Sequence, residues 1–422
     1  MRSVPLKRIV DPARPIMYGI VLPGPNQIEG PMIVKGGDVK PGRLEPSRLC
    51  RTTSSIEAGY TRSRLREGDV IVAIRGGIGD VELVPASIAS ANITQDVARV
   101  SCGPDADARF IRYAMTSAPV QADVLRRTTG ATIRGLNIED LREVAIPFPP
   151  WLCQTTVADF LDGETGRIGK LLLAKRRQLA MLAERREAVA ELFLVDADAE
   201  HRRGSSLAWA ESIPAHWREV KLGFVSRLGS GHTPGRDHPE WWLDGRIPWI
   251  TTGEVAQMRS DRIEQIFETR EMISELGLAN SSATVRPKGT VVLCRTAASA
   301  GYSAIMGRDM ATSQDFATWT CGPMLRPRYL LLCLRAMRGD LLDRLAMGST
   351  HKTIYMPDIE SIRIPLPPLD EQERIVERTW QQLRAIDRAV DAIERHILLL
   401  RERNQALITA AVTGQLEIAE AS

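Results

Sequence analysis

The sequence predicts an α+β protein: a tandem, approximately twofold repeat of two mixed α/β lobes, each followed by a long helix. The two helices are expected to form an antiparallel coiled coil. Three observations predict this. The phrase "IRGLNIEDLREVAIPFPP" ending at Pro150 returns as "HKTIYMPDIESIRIPLPP" ending at Pro368. Further matches keep the same order at nearly the same offset, and a long helical pattern follows each recurrence.

The elements of each copy follow in order. "MRSVPLKRI" is answered by "WREVKLGFV", and "PMIVKGGDV" by "PWITTGEV", with one extra residue in the first copy. "EGDVIVAIR" is answered by "KGTVVLCR", and "ITQDVARVSCGP" by "TSQDFATWTCGP", which keeps Gln-Asp, Ala, Cys, Gly and Pro. These short apolar runs, broken by Gly, Pro, Asn and Thr, read as strands. Helical patches follow around "ARFIRYAMTSAPVQADVL" and "PRYLLLCLRAMRGDLLDRL". The Pro-Pro pair then ends each lobe, because proline cannot donate to a ladder and disfavours helix at the residue before it. Gln154 and Gln372 match just beyond it. The boundaries are 1–150 and 201–368 for the lobes, 151–200 and 369–422 for the helices.

The second helical run carries Ile386, Val390, Ile393, Ile397, Leu400, Asn404, Leu407 and Ala411, alternating by four and three. That is a coiled-coil seam with charged flanks, and it stops at Gly414. The first run carries Val157, Leu161, Ile168, Leu172, Leu179, Leu182, Val189 and Phe193 on a less regular stripe. A rod of roughly 40 residues is about 60 Å long, more than one small lobe covers, which favours pairing of the helices over packing on a lobe. Asn404 either fixes register or is merely exposed.

Bulk properties bound the function. The chain has 422 residues, 44% hydrophobic and 25% charged, with a net charge of +3. Its pI of about 8.5 permits nucleic-acid binding without demanding it. No run of about 18 apolar residues predicts a membrane span, and the basic start has no apolar core of a secretory signal. Cys50, Cys102, Cys153, Cys294, Cys321 and Cys333 lie far apart and read as reduced thiols of a cytoplasmic protein.

Catalytic motifs are not found. "RGGIGD" is the nearest thing to a phosphate-binding loop, yet "RTAASAG" stands in its place in the second copy. A tight turn between strands is the better reading. The six histidines have no metal-ligand spacing; His232 and His238 form either a weak chelate or a solvated pair. Trp241, Trp242 and Trp249 beside basic residues stack on bases or, more commonly, anchor core and loops.

The assembled pieces resemble the DNA specificity subunit of type I restriction-modification systems. The carrying residues are "IPAHWREVKLG", "GHTPGRDHPEWW…GRIPWITTGEV", the Gln-Asp stretches, "IPLPPLDEQERIV" and the helix ending "AAVTGQL". "FLDGETGRIGKLLLAKRRQLAMLAERREAV" looks like the family's central spacer. The front of the first copy departs from the pattern, with "IMYGIVLPGPNQIEGPMIV" in place of the "IPxxW" and Gly-x-Thr-Pro phrases.

The resemblance implies that each lobe is a target recognition domain reading half of a split, asymmetric double-stranded DNA sequence. The coiled coil would set the spacing and dock two methyltransferase subunits. S-adenosylmethionine is expected on those subunits, and ATP and Mg on separate motor-nuclease subunits, with no cofactor or metal on this chain. Expected DNA-binding residues are Lys35, Arg75, Gln95 and Arg134 in the first lobe and Thr252, Arg295, Gln314 and Lys352 in the second. Gln95 and Gln314 are either readers or shared scaffold; Arg75 and Arg295 either read bases or hold phosphates. Alternatives are a methylation-only system, a coiled-coil adaptor without a DNA role, and a fused methyltransferase or nuclease with unrecognised motifs.

Overall fold

The computed structural model describes residues 2–128, 135–191, 201–347 and 353–418. The chain divides into two compact units. One joins Met1–Arg176 to Glu394–Ser422, and the other is Arg177–Ile393. Each unit therefore holds one globular part and a piece of both long helices.

In the first unit, strands Met17–Tyr18, Val97–Val100, Val70–Ala73 and Val81–Leu83 form an antiparallel sheet in that spatial order. The strands Val70–Ala73 and Val97–Val100 are buried on both faces, which is why their sequences are runs of small and β-branched residues without alternation. A smaller sheet places Met32–Val34 between Cys50–Arg51 and Asn92–Ile93. "RGGIGD" is the hairpin turn between Ala73 and Val81, closed by Gly79 donating to the carbonyl of Ala73, with Gly76 and Gly79 at positive φ.

The second unit has the corresponding pairings. Phe316–Cys321 and Val291–Cys294 are antiparallel neighbours, as Val97–Val100 and Val70–Ala73 are in the first. Ile247–Ile250 pairs in parallel with Ala311–Thr312, as Met32–Val34 does with Asn92–Ile93. The first and last strands of each globular part also pair: Ser3–Pro5 with Ala145–Pro147, and Arg218–Lys221 with Arg363–Leu366. This closure brings the Pro-Pro exit beside the point where each globular part begins.

The helical patches are helices at Ala108–Thr116 and Ala118–Arg126 in one unit and Pro327–Ala336 in the other. The long helices span Trp151–Glu191 and Leu369–Thr413. The latter stops at Gly414, whose φ of 75° is the left-handed conformation glycine takes most readily. Within the first unit, Val157 and Leu161 of the first long helix share a core with Ile408, Ala411 and Val412 of the second. Within the other unit, Val189 of the first long helix packs on the core that contains Val376, Trp380 and Leu383 of the second. There Arg186 also donates to Asp387 at 2.9 Å. Val157, Leu161, Ile168, Ile386, Ile397, Leu400 and Ala411 are buried, Leu172, Leu179, Leu182, Val189, Val390, Ile393 and Leu407 are half-buried, and Phe193 lies outside the described residues. The interleaved Leu171, Leu173, Met181, Leu398 and Leu399 are exposed. Asn404 is half-buried, and its Oδ1 has no partner among the described residues.

No helix among the described residues is long and apolar enough to cross a membrane. All six cysteines are unpaired. Burial pushes the Cys102 and Cys321 thiols up to about 12 and Cys294 up to about 11, and Cys333 rises too. Cys153 alone is exposed. Because the thiolate is the nucleophile, iodoacetamide at pH 8 is expected to modify Cys153 first and leave those four unmodified in the folded protein. Mass spectrometry of tryptic peptides checks this.

Candidate nucleic-acid interface

The matched strands of each unit end at one patch. In the first, strand Met32–Val34 delivers Lys35, whose backbone N–H donates to Asp38 Oδ2 at 2.9 Å and turns the chain. The next residue must be glycine: a Cβ on Gly36 would meet the carbonyl oxygen of Arg75 at 2.5 Å. Ile74 and Arg75 both donate to the carbonyl of Asp96, at 2.8 and 3.3 Å. Gln95 is held by its backbone N–H on the carbonyl of Ile20 at 2.9 Å. The backbone thus brings Lys35, Arg75 and Gln95 together.

Their side chains are differently engaged. Lys35 is exposed, and its Nζ donates to Cys50 Sγ at 3.2 Å. Arg75 is exposed, and its guanidinium has no hydrogen-bond or ion-pair partner among the described residues. Gln95 is half-buried and its amide is likewise free. Burial raises the carboxyls of Asp80, opposed by Lys40, and Glu82, opposed by Arg112, on the hairpin leading away from Arg75. Arg134 lies outside the described residues, next to Gly135, which bridges to Arg75.

The second unit repeats the backbone layout. Thr251 donates its N–H to Glu254 Oε2 at 2.9 Å, the same kind of capping turn as Lys35 with Asp38, and leaves Thr252 exposed. Arg295 donates its N–H to the carbonyl of Asp315 at 2.9 Å, as Arg75 does to Asp96. Lys352 lies outside the described residues, adjoining Thr353, which bridges to Thr296.

The side chains there are tied down. Arg295 donates Nε and Nη2 to the carbonyl of Gln314 at 3.1 and 2.8 Å and Nη1 to that of Ile354 at 3.4 Å. Its guanidinium braces the loop that presents Gln314. Gln314 is exposed and accepts from Thr233 Oγ1 at 2.5 Å, so the "GHTPG" loop joins this edge.

Sequence reasoning singled out the tryptophans without seeing their organiser. Arg236 lies 4.0 Å from the centre of the Trp242 ring and 5.2 Å from that of Trp249. It also makes a bidentate pair with Glu271 at 2.6 and 2.8 Å. That pairing raises the Arg236 pKa and holds the Glu271 carboxyl below its usual range. Trp249 is 2% exposed and is a core residue, while half-buried Trp241 stacks on His238 at 4.1 Å.

A second missed arrangement attaches each globular part to its helix. Gln154 and Gln372 are both fully buried. Gln154 Oε1 accepts from the N–H of Asp107 at 3.0 Å, while its Nε2 donates to the carbonyls of Asp105 and Pro149 at 3.1 and 2.8 Å. Gln372 repeats this with the N–H of Arg326 and the carbonyls of Met324 and Pro367, all at 2.9 Å. One amide thus satisfies a helix start, the loop before it and the Pro-Pro turn. The alignment of the two glutamines was the available signal.

The comparisons with known proteins agree with this architecture. Residues 214–398 match the type I restriction modification DNA specificity domain. The EcoBI specificity subunit of Escherichia coli is 30% identical over 145 residues, which is 34% of this chain and 30% of that one. The EcoR124I/EcoR124II specificity subunit, also of Escherichia coli, is 24% identical over 195 residues, 45% of this chain and 46% of that one. The matches thus span less than half the length of these curated relatives. A chain from a structure of complex assembly and conformational transition in a type I R-M system superposes with a TM-score of 0.75 at 19% identity, covering 98% of both chains. Residues 214–398 thus carry the type I DNA specificity domain, the curated relatives are type I specificity subunits, and the whole chain shares the fold of a chain from a type I system.

Proposed function

We propose that the chain selects the DNA sequence on which a type I restriction-modification complex acts, each globular part reading one half of a split, asymmetric target. The observation that carries the reading is the repeated strand-end patch. Lys35, Arg75 and Gln95 in one unit, and Thr252, Arg295 and Gln314 in the other, stand on the same backbone layout but are differently engaged: the Arg75 guanidinium meets no partner among the described residues, while that of Arg295 braces Gln314. Equal frames that present different free groups suit two different half-sites. Arg75 and Gln95, which have no side-chain partner among the described residues, are the readers of the first patch, and Gln314 on its Arg295 brace is the reader of the second.

The long helices serve as spacer and docking surface. Each unit packs the start of one against the end of the other, which supports an antiparallel coiled coil with Ile168 to Leu182 and Ile386 to Leu400 on its seam. The exposed leucines beside that seam suit docking of two methyltransferase subunits. These would bring S-adenosylmethionine, and motor-nuclease subunits ATP and Mg, in a cytoplasmic complex. The double variant Leu398→Asp, Leu399→Asp is expected to abolish co-purification with the methyltransferase while moving the thermal midpoint by less than about 2 °C, since both residues are exposed.

The reading is tested by binding the purified chain, with its methyltransferase, to duplex DNA across a salt series. It predicts affinity that falls steeply and linearly in log–log form as phosphate contacts are screened, and at fixed salt a preference for a split target. Salt-independent or absent DNA binding would instead favour the adaptor.

A further inference from the structure

In the first unit five arginines, Arg14, Arg62, Arg64, Arg66 and Arg99, line one cleft of about 420 Å³. Among the described residues, two of them have a carboxylate partner. Arg14 pairs with Asp69 at 2.9 Å, and Arg64 pairs bidentately with Glu57 at 2.6 Å to each oxygen. Asp69 is already saturated by Ser101 Oγ and the Arg66 N–H, each at 2.7 Å. Arg62 and Arg66 are exposed, with no side-chain partner among the described residues.

Arg99 is the unusual member. It is 1% exposed and has no counter-ion at hydrogen-bond distance among the described residues. Its terminal nitrogens donate to the carbonyls of Arg62, Arg64 and Pro15, and its Nε has no partner. Burial pushes its pKa down to about 10, with Arg14, Arg66 and Arg62 adding repulsion against the attraction of Asp69. A buried charge without a counter-ion is costly, and an anion in the cleft offsets that cost. The neighbouring arms are preset for one: Arg14 Nη2 is fixed on the carbonyl of Arg64 at 2.9 Å.

The cleft belongs neither to the repeated frame nor to the candidate reading patch. Arg99 aligns with Thr318 in the second copy. Gln95 precedes the strand Val97–Val100 while Arg99 lies near its far end, about 13 Å along at the rise of an extended chain. Forked guanidiniums around a small cleft match the oxygens of a phosphoryl group.

We propose that this arginine cleft binds a phosphoryl anion. It is either a backbone phosphate of the duplex outside the base-reading patch, in which case the site rests on the DNA reading above, or a free phosphate compound, in which case it stands alone. The test uses the full chain with inorganic phosphate and pyrophosphate, titrated against chloride at constant ionic strength, followed by calorimetry and thermal midpoint. Saturable binding is expected, with at least tenfold weaker affinity in the double variant Arg62→Gln, Arg66→Gln. That variant should keep the wild-type midpoint in chloride.

DNA affinity across salt then identifies the source. A log–log slope smaller by about one to two in the variant assigns the site to the duplex backbone, and an unchanged slope assigns it to a free phosphate compound. Phosphate binding in a chain that binds no DNA would leave this site standing while the DNA reading fell. Equal stabilisation of wild type and variant by phosphate, as preferential exclusion produces, together with equal DNA slopes, would overturn the proposal.

Discussion

Replacing Gln372 with leucine is expected to destabilise the Arg177–Ile393 unit by about 3 kcal/mol, lowering its thermal midpoint by roughly 5–10 °C. The side chain is fully buried and satisfies one N–H and two carbonyls, all at 2.9 Å. Leucine fills most of the volume but leaves the Arg326 N–H and the carbonyls of Met324 and Pro367 without partners in a place water does not reach. The cost of such orphaned groups, not a lost contact, sets the size of the effect. Gln154→Leu is expected to do the same to the other unit, because its amide bonds the equivalent groups. Differential scanning calorimetry of both variants checks this. Unchanged midpoints would mean that the clamp is dispensable.

Replacing Arg75 with alanine is expected to weaken binding to the target by about 1–3 kcal/mol, or 5- to 150-fold, with the folded state untouched. Arg75 is exposed and its guanidinium has no partner among the described residues, so no described contact depends on it. Arg295→Ala is expected to behave differently although the two residues align. Its guanidinium holds the carbonyls of Gln314 and Ile354, so its loss should lower stability and loosen the presentation of Gln314. Fluorescence-anisotropy competition with matched and scrambled duplexes, beside melting curves, separates the two outcomes. If Arg75 reads a base, discrimination falls at one position. If it holds a phosphate, affinity falls uniformly and the salt slope shrinks by about one.

Much of the architecture was legible because it is written twice. The Pro-Pro exits, the doubly buried strands "VIVA" and "VVLC", and the stop at Gly414 are local signals, set by proline and glycine backbone chemistry and by burial. The four-three spacing of the second helical run fell on buried or half-buried positions, while the buried Trp380, Ile408 and Val412 of the same helix lie off it. Pairing of Ser3–Pro5 with Ala145–Pro147 was not legible, since a ladder between strands that far apart leaves no local pattern.

The candidate site was legible as positions but not as roles. Alignment put Arg75 and Arg295 at equal places, yet one guanidinium has no partner among the described residues and the other braces a loop. That difference depends on the carbonyl directions of Gln314 and Ile354, which no residue pattern encodes. The arginine cleft was invisible for a related reason. Arg14, the Arg62–Arg66 segment and Arg99 lie far apart in sequence, with only Arg99 on a strand, and meet only when the lobe folds. Arg134 and Lys352, the remaining expected DNA contacts, lie outside the described residues.

The central claim is that this chain alone decides which sequence is modified. The direct test is to express it with the methyltransferase subunit of its own system in cells lacking DNA methylation, and to map methylated adenines genome-wide by single-molecule sequencing. The account predicts a split, asymmetric motif that disappears when this chain is omitted and changes in one half only when residues 1–150 are exchanged for another first lobe. An unsplit motif, or methylation indifferent to the presence of this chain, would contradict it.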